Sequence, residues 1–251
     1  MLRAVVFDMD DTLVDWSKRE GDWADISRQH LRPVHDYLLE AGHKIPDLIG
    51  LVEVYADQSR RAWESIHPPE WDCPCQEDIL RETLRAVKLE TEKIDLGEVQ
   101  RRFNWGPIPG VCAFDDTEEV LRVLRAAGLK TGLVTNAAVP MWMRDAELKA
   151  LGILDYLDVR LTAGDVGKFK PHPHPFRVAL HRLGVTADEA VFVGDRVQDD
   201  VAGAQAAGMR AIWVRRGSEP TNGEFKPNAT ISSLKELLKI LDVWYPGWRP
   251  T

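Results

Sequence analysis

A short apolar run near the N-terminus, residues 4–7, stops directly on the sequence DMDDT, which begins at Asp8. A buried strand that ends on carboxylates is costly unless those groups bind a cation or take part in chemistry. Asp8 and Asp10 are two positions apart, so their side chains share one face of extended backbone. One could act as a nucleophile and the other as a proton donor and acceptor, with a hard cation offsetting their repulsion. A polar turn after an edge strand is the simpler alternative.

Three later segments also place polar side chains at the end of predicted strands or in the loops that follow them. A strand predicted over 130–134 is followed by Thr135 and Asn136, a loop before a helix carries Lys170, and a further apolar run ends at Asp195. In an open parallel sheet, the C-terminal ends of the strands converge on one crevice, which is the usual ligand site. The order and spacing of these segments therefore predict that all of them contribute to one site.

The four segments together resemble the motifs of the haloacid dehalogenase superfamily of phosphohydrolases. The first motif is matched by Asp8-x-Asp10-x-Thr12, the second by Thr135, the third by Lys170 and the proline after it, and the fourth by Gly194-Asp195 with the acids at 199 and 200. The resemblance covers residues 1–15 and about 108–251 and is weak in the segment between them.

The resemblance implies a role for each acidic residue at the first strand. Asp8 is expected to be the nucleophile that attacks phosphorus, giving an aspartyl-phosphate. Asp10 is expected to protonate the leaving oxygen and later to deprotonate the attacking water. A Mg²⁺ ion, with Mn²⁺ as a possible substitute, is expected to be held by Asp8, the backbone carbonyl of Asp10, and Asp195.

The same resemblance assigns the phosphate-binding and supporting residues. Thr135 and Asn136 are expected to bind the oxygens of the phosphoryl group, together with Lys170, which also supplies positive charge beside the nucleophile. Asp199 or Asp200 is expected to hold Lys170 or a water on the metal. Counting back from Gly203 and Ala204, Asp200 aligns with the aspartate of the resembled family, but because the two acids are adjacent the sequence leaves the choice between them open.

The predicted fold is α/β, with a Rossmann-like, doubly wound parallel sheet and a smaller all-helical cap. The core is predicted over 1–15 and 108–251, and the cap over 16–107, between a turn near Asp15 and a Gly- and Pro-rich return at 106–110. Helical periodicity is found over about 17–41, 48–66, 77–91 and 95–103. Beyond residue 110, strands alternate with helices of about ten residues, which predicts a parallel sheet covered on both faces.

In this superfamily such an insertion acts as a lid over the leaving group. The predicted cap contains five of the chain's nine tryptophans: Trp16, Trp23, Trp63, Trp71 and Trp105. These rings could stack on a base or a sugar, but aromatic residues of a helical unit more often form its core, which is the interpretation we favour. Arg60 and Arg61 are expected to form a solvated helix face.

Composition limits the possible partners and the location of the chain. A net charge of −8 argues against a broad surface for nucleic acid, so an anionic substrate must be attracted by local cations. No apolar stretch reaches the ~20 residues that cross a bilayer, and no secretory signal is evident, so a cytoplasmic location is expected. Cys73 and Cys75 have only His67 close by, and no second cysteine or histidine pair completes four ligands, so they do not predict a metal site. The protein is expected to be a monomer or homodimer.

The leading function is a Mg²⁺-dependent phosphatase for a small phosphomonoester, such as a sugar phosphate, a nucleotide or a related metabolite. A phosphomutase would use the same four motifs, and a phosphonate hydrolase would need a cap lysine for a Schiff base. A dehalogenase is disfavoured because Asp10 would have no leaving alcohol to protonate. A receiver-like signalling module is disfavoured by the chain length and the large insertion.

Overall fold

The computed structural model describes residues 1–216 and 225–249. Within them, the strands are β1 (Ala4–Phe7), β2 (Val14–Asp15), β3 (Cys112–Ala113), β4 (Lys130–Thr135), β5 (Val159–Thr162), β6 (Ala190–Gly194), β7 (Arg210–Val214) and β8 (Ala229–Ile231). The α-helices are α1 (Trp23–Glu40), α2 (Leu48–Glu64), α3 (Gln76–Ala86), α4 (Leu96–Phe103), α5 (Thr117–Ala126), α6 (Met141–Ala150), α7 (Ala163–Val166), α8 (His174–Leu183), α9 (Ala202–Ala206) and α10 (Leu234–Trp244). A π-helical turn, Val197–Val201, leads into α9.

Six strands form a parallel sheet in the order β5-β4-β1-β6-β7-β8. Successive residues of a strand point to opposite faces, so Phe7 of the central strand β1 packs in a cluster with α5 and α10, whereas Val6 packs with α8 and α9. Because both faces are covered by helices, the central strand is apolar along its whole length. The predicted α/β class, with a parallel sheet and an all-helical insertion, is confirmed.

The helical insert, residues 16–107, contains α1 to α4 in the described chain. Its hydrophobic cluster includes Leu38 of α1 and Phe103 of α4, and it extends to Val139 and Met143, which follow β4 in the sequence. The insert therefore packs against the sheet-bearing part through shared apolar contacts. The domain boundaries stay a prediction, and positions 217–224 and 250–251 of the predicted core lie outside the described residues.

The chain enters and leaves the insert through a small antiparallel ribbon formed by β2 and β3, which sequence periodicity did not predict. Two-residue strands carry no periodic pattern, so only the tertiary pairing defines them. Beside the ribbon, Gly110 has a φ of +80°, and a Cβ there would lie 2.0 Å from the carbonyl oxygen of Lys18. A glycine is required where the returning chain crosses the outgoing one.

Helix α1 begins at Trp23, later than the sequence pattern predicted. Asp22 accepts a hydrogen bond from the backbone N–H of Asp25, and the Asp25 side chain accepts one from the backbone of Asp22. This reciprocal capping box satisfies backbone donors at the helix start. The residues between β2 and Asp22 are therefore outside the helix, and one of them, Trp16, contacts Asp10.

The aromatic C-terminal tail docks on the sheet-bearing part. Trp248 is buried in the cluster that contains β1, and its indole N–H donates to Asp242 at 2.8 Å. The guanidinium of Arg210 lies over the rings of Trp244 and Tyr245, at 5.0 and 5.5 Å from their centroids.

In the part of the chain described here, no helix is both long and apolar enough to span a bilayer.

Candidate active site

The predicted site residues lie together at one edge of the sheet. Asp8 follows β1, Thr135 ends β4 and Asp195 follows β6, and these three strands are neighbours in the sheet. Because the strands are parallel, their C-terminal ends meet at the same edge. The backbone N–H of Asp8 donates to the carbonyl of Val193 at 2.9 Å, which continues the strand pairing up to the acidic residue.

Lys170 is the cation at the centre of this edge, and its ammonium group is almost completely buried. Its Nζ donates to Asp8 Oδ1 at 2.5 Å, to Asp200 Oδ1 at 2.7 Å and to the carbonyl oxygen of Val134 at 2.9 Å. Burial alone lowers the pKa of Lys170, but the adjacent Asp200 and Asp8 outweigh it, so its pKa is raised. The side chain therefore remains charged and keeps two buried carboxylates paired.

The structure separates the two adjacent acids that the sequence left open. Asp200 is fully buried. One of its carboxylate oxygens accepts a hydrogen bond from Lys170, and the other accepts one from the backbone N–H of Arg196 at 3.0 Å. Asp199 instead pairs with the Arg196 side chain at 2.9 Å, and that side chain is 71% exposed. A Cβ at Gly194 would lie 2.3 Å from Asp200 Oδ2, so this glycine provides the space for the buried carboxylate.

Three carboxylates form a group that could hold a metal ion. Ligand atoms of Asp8, Asp195 and Asp200 all lie within 4.8 Å of one another. Asp195 Oδ1 is buried and finds no hydrogen-bond partner among residues 1–216 and 225–249. Burial is the largest cause that raises the pKa of Asp8, and burial followed by the Asp200 charge raises the pKa of Asp195 to about 7. An all-oxygen set with an unpaired buried oxygen fits a hard cation.

The carboxylate of Asp10 is held by donors from three different segments. Its Oδ1 accepts the indole N–H of Trp16 at 2.7 Å and a hydrogen bond from the guanidinium of Arg144. Its Oδ2 accepts the Thr135 hydroxyl at 3.3 Å. This arrangement is compatible with the expectation that Asp10 approaches a metal only through its backbone carbonyl, which stays a prediction.

Thr135 and Asn136 lie where the sequence predicted, but both side chains already have protein partners. The Asn136 amide accepts a hydrogen bond from the backbone N–H of Lys170 at 2.8 Å and donates to the carbonyl of the same residue at 3.1 Å. These two bonds fix the loop that carries the lysine. Phosphate binding by Thr135 and Asn136 stays a prediction.

Asp11 has a φ of 59°, in the left-handed region that glycine and asparagine tolerate best. Aspartate enters this region more readily than most residues other than glycine. The Oδ1 of Asp11 accepts the backbone N–H of Trp16 at 3.4 Å. Asp11 thus supports the turn that returns the chain from β1.

Sequence reasoning missed Arg144 and Glu147, which form a buried chain between Asp10 and the helical insert. Arg144 donates to Asp10 and pairs with Glu147 at 3.1 Å, and Glu147 accepts the indole N–H of Trp105. The available signal was weak: Arg144 lies three and four residues from the buried Met141 and Leu148, on an otherwise apolar stripe of α6.

A cavity of about 630 Å³ lies between the insert and this edge of the sheet. Its wall on the sheet side includes Asp10, Asp11, Asn136 and Arg144. The side formed by the insert includes four of the five tryptophans noted in the sequence: Trp16, Trp23, Trp63 and Trp105. Core packing is therefore the wrong interpretation for Trp23 and Trp63, which are 56% and 45% exposed.

The arginines and cysteines of the insert that the sequence singled out lie outside the lining of this cavity. Arg60 and Arg61 pair with Asp57 on the exposed face of α2, as expected for a solvated helix. Cys73 and Cys75 are free thiols, and the group of possible metal ligands found in the described residues does not include them.

A family model for haloacid dehalogenase-like hydrolases matches residues 2–208. The chain belongs to this family. Its membership confirms the resemblance drawn from the four motifs and the prediction of an enzyme.

Three relatives found by sequence are phosphatases. A phosphoserine phosphatase from Thermus thermophilus is 36% identical over 172 residues, covering 66% of this chain and 65% of that protein. A glyceraldehyde 3-phosphate phosphatase from Methanopyrus kandleri is 30% identical over 248 residues, covering 96% and 97%. A phosphoglycolate phosphatase from Escherichia coli is 29% identical over 251 residues, covering 96% and 92%.

Solved structures of the family share the whole architecture. A 2-haloacid dehalogenase from Pseudomonas syringae has a TM-score of 0.64 and 30% identity, covering 97% of this chain and all of that one. A phosphatase of the family from Thermococcus onnurineus has a TM-score of 0.59 and 26% identity, covering 96% and 98%.

The pKa of Glu147 leads to a prediction about stability. Burial is the largest influence on this pKa and raises it from 4.5 to about 7, although the charge of Arg144 opposes the shift. The folded state then binds this proton more tightly than the unfolded state, so stability is lost as pH rises through that interval. Glu147→Gln mimics the protonated form. At pH 5 the wild type and the variant should have similar free energies of unfolding. At pH 8 the free energy of unfolding of the wild type should be about 3 kcal/mol lower than that of the variant.

Urea denaturation at several pH values measures this difference. Glu53→Gln removes an exposed carboxyl group from α2 and should follow the wild type at every pH. A Glu147→Gln difference that does not change between pH 5 and pH 8 would contradict the buried, proton-binding environment of Glu147.

Proposed function

We propose that this enzyme is a Mg²⁺-dependent phosphatase that cleaves a small phosphomonoester through an aspartyl-phosphate. The observation that carries the proposal is the Asp10 carboxylate, which is held beside the Asp8 cluster by Trp16, Arg144 and Thr135. A phosphate ester needs a proton donor for its leaving oxygen, whereas a halide leaves without one. The phosphatase relatives support the same choice over a dehalogenase.

In the proposed reaction, the Asp8 oxygen that is free of Lys170 attacks phosphorus, and the bond from phosphorus to the ester oxygen breaks. Protonated Asp10 gives its proton to the leaving oxygen. Its Oδ1 is held by Trp16 and Arg144, so Oδ2 is the oxygen that carries this proton. Asp10 then takes a proton from water as the water attacks the aspartyl-phosphate, which releases phosphate and restores Asp8.

Positive charge must balance the acids and the phosphoryl group. Lys170 supplies one charge and holds Asp8 and Asp200 in place. The residues that would hold Mg²⁺ are Asp8, Asp195 and the Asp10 carbonyl, with Asp200 in the adjacent position. When bound, the cation would neutralise charge on the phosphoryl oxygens and orient them for in-line attack.

The alternative reactions receive less support from the described residues. A phosphonate hydrolase needs a lysine in the cavity, but the insert's lysines, Lys18, Lys44, Lys88 and Lys93, are all exposed and do not line it. A phosphomutase would use the same carboxylates and would return the phosphoryl group to a sugar. The products distinguish the two reactions, because a mutase yields an isomeric sugar phosphate and a phosphatase releases inorganic phosphate.

The nucleophile is tested with Asp8→Asn, which retains the shape of the side chain but is a poor nucleophile. With Mg²⁺ and a panel of phosphorylated metabolites, phosphate release by the variant should fall at least about 100-fold, equivalent to ~2.7 kcal/mol of activation barrier. Asp199→Asn makes the same change at an acid that pairs with exposed Arg196 and should retain activity. Turnover by Asp8→Asn within about tenfold of the wild type would refute the assignment, and hexose phosphate isomerisation faster than hydrolysis would favour the mutase.

The metal is tested by chelation. Activity should disappear after treatment with EDTA and return with Mg²⁺, or with Mn²⁺, because the carboxylates need a hard cation to offset their repulsion. Asp195→Asn removes the negative charge and replaces one carboxylate oxygen with an NH₂ group, so it should weaken Mg²⁺ binding measured by calorimetry. Full activity after exhaustive chelation would contradict a metal-dependent mechanism.

Arg144 is proposed to position Asp10, and it can be tested through the leaving group. Arg144→Met should lower kcat for alkyl phosphates by about 10- to 100-fold, because a misplaced acid protonates the leaving oxygen poorly. p-Nitrophenyl phosphate should lose much less, since its leaving group needs little protonation. Arg160→Met serves as the matched control. It removes an ion pair between β5 and Asp145, which lies beside Arg144 on α6. Equal losses with both substrates would indicate that Arg144 is only structural.

A further inference from the structure

The wall that the insert contributes to the cavity is rich in aromatic side chains. Trp16, Trp23, Trp63, Trp105 and Tyr55 all line it. We propose that the leaving group of the substrate ends in a planar ring that stacks in this cavity, and that the substrate class is the nucleoside 5′-monophosphates. This inference rests on the proposed phosphatase function, and it selects one class among small phosphomonoesters.

Exposed tryptophan side chains point to a ring-binding role. Trp23 is 56% exposed and Trp63 is 45% exposed, although tryptophan is usually buried to a large extent. Trp16 stacks on Trp23 with centroids 5.8 Å apart and planes 25° apart, so the two rings form one aromatic group in the cavity wall. Bases stack on such surfaces whatever their hydrogen-bonding edges, because every base has a π-face.

The aromatic surface is joined directly to the proposed acid. The indole N–H of Trp16 donates to Asp10 Oδ1 at 2.7 Å, so one ring contacts both the proton donor and the cavity. A leaving oxygen placed near Asp10 would therefore direct the rest of the leaving group toward Trp16 and Trp23. Ser27 and Ser59 also line the cavity and offer hydroxyl groups to a ribose or to the edge of a base.

Size and charge argue against a compact acid as the preferred substrate. Phosphoglycolate and phosphoserine are small and carry a carboxylate, which needs a cation in a cavity of about 630 Å³. Of the two arginines in the lining, Arg144 is committed to Asp10 and Glu147, and Arg19 lies over the Trp23 ring at 4.7 Å. A further carboxyl group, that of Asp11, lies in the same wall. A neutral planar group matches this lining better than a second anion.

The kinetic test compares substrates that differ only by the base. Adenosine, guanosine, cytidine and uridine 5′-monophosphates are compared with ribose 5-phosphate, which has the same ester without a base. The best nucleotide should have a kcat/KM at least about tenfold above that of ribose 5-phosphate, as expected for base stacking. Phosphoglycolate, phosphoserine and glyceraldehyde 3-phosphate should also be poorer substrates than this nucleotide.

Matched tryptophan variants test where the preference arises. Trp23→Leu keeps an apolar side chain but removes the flat face, so it should lower the ratio of the two kcat/KM values at least about threefold. Trp142→Leu removes a tryptophan that is 47% exposed on α6, outside the cavity lining, and should leave the ratio unchanged. A ratio that Trp142→Leu changes as much as Trp23→Leu would overturn the assignment of the ring site.

The outcomes separate this inference from the proposed function. Hydrolysis of p-nitrophenyl phosphate without a preference for any nucleotide over ribose 5-phosphate would overturn the substrate class and leave the phosphatase intact. A preference for one of the small acids would do the same. The absence of hydrolysis for every phosphoester, with Mg²⁺ present and the protein folded, would overturn both. A nucleotide preference that Trp23→Leu reduces supports both.

Discussion

The ammonium group of Lys170 is the interaction on which this site depends. It joins the acid after β1, the acid of the π-helical turn and a carbonyl of β4 in one buried group. Without this cation, Asp8 and Asp200 would be buried and unpaired, a situation that typically costs several kcal/mol. Asn136 holds the lysine backbone through two hydrogen bonds, which tie this loop to the end of β4. One lysine side chain thus allows the ends of β1, β4 and β6 to meet although two buried acids lie there.

The charge at this edge is not fully balanced by the lysine. Asp195 retains a buried oxygen without a partner in the described residues, and its pKa is raised to about 7 by burial and by Asp200. A group of this kind is stable with a further cation and costly without one. The same imbalance that makes the site expensive in the folded protein prepares it for a metal and a phosphoryl group.

Helix α6 connects the insert to the proposed acid. Its Arg144 holds Asp10, its Glu147 accepts the indole of Trp105 from the insert, and its Met143 packs in the insert's hydrophobic cluster. The position of the acid and the docking of the insert therefore depend on the same helix. The insert also contributes Trp16 directly to Asp10, so the wall that contacts the leaving group is physically linked to the group that would protonate it.

The sequence by itself determined the parallel α/β core, the helical insert and the converging acids, because apolar strands that end on polar residues leave a local pattern. Only the tertiary structure distinguished Asp200 from Asp199, since adjacent residues on a helical turn face different directions and the pattern cannot say which faces Lys170. It also turned Trp23 and Trp63 toward a cavity and brought Arg144 to Asp10 across 134 positions. Contacts between distant segments carry no local periodicity, so they were decided by packing alone.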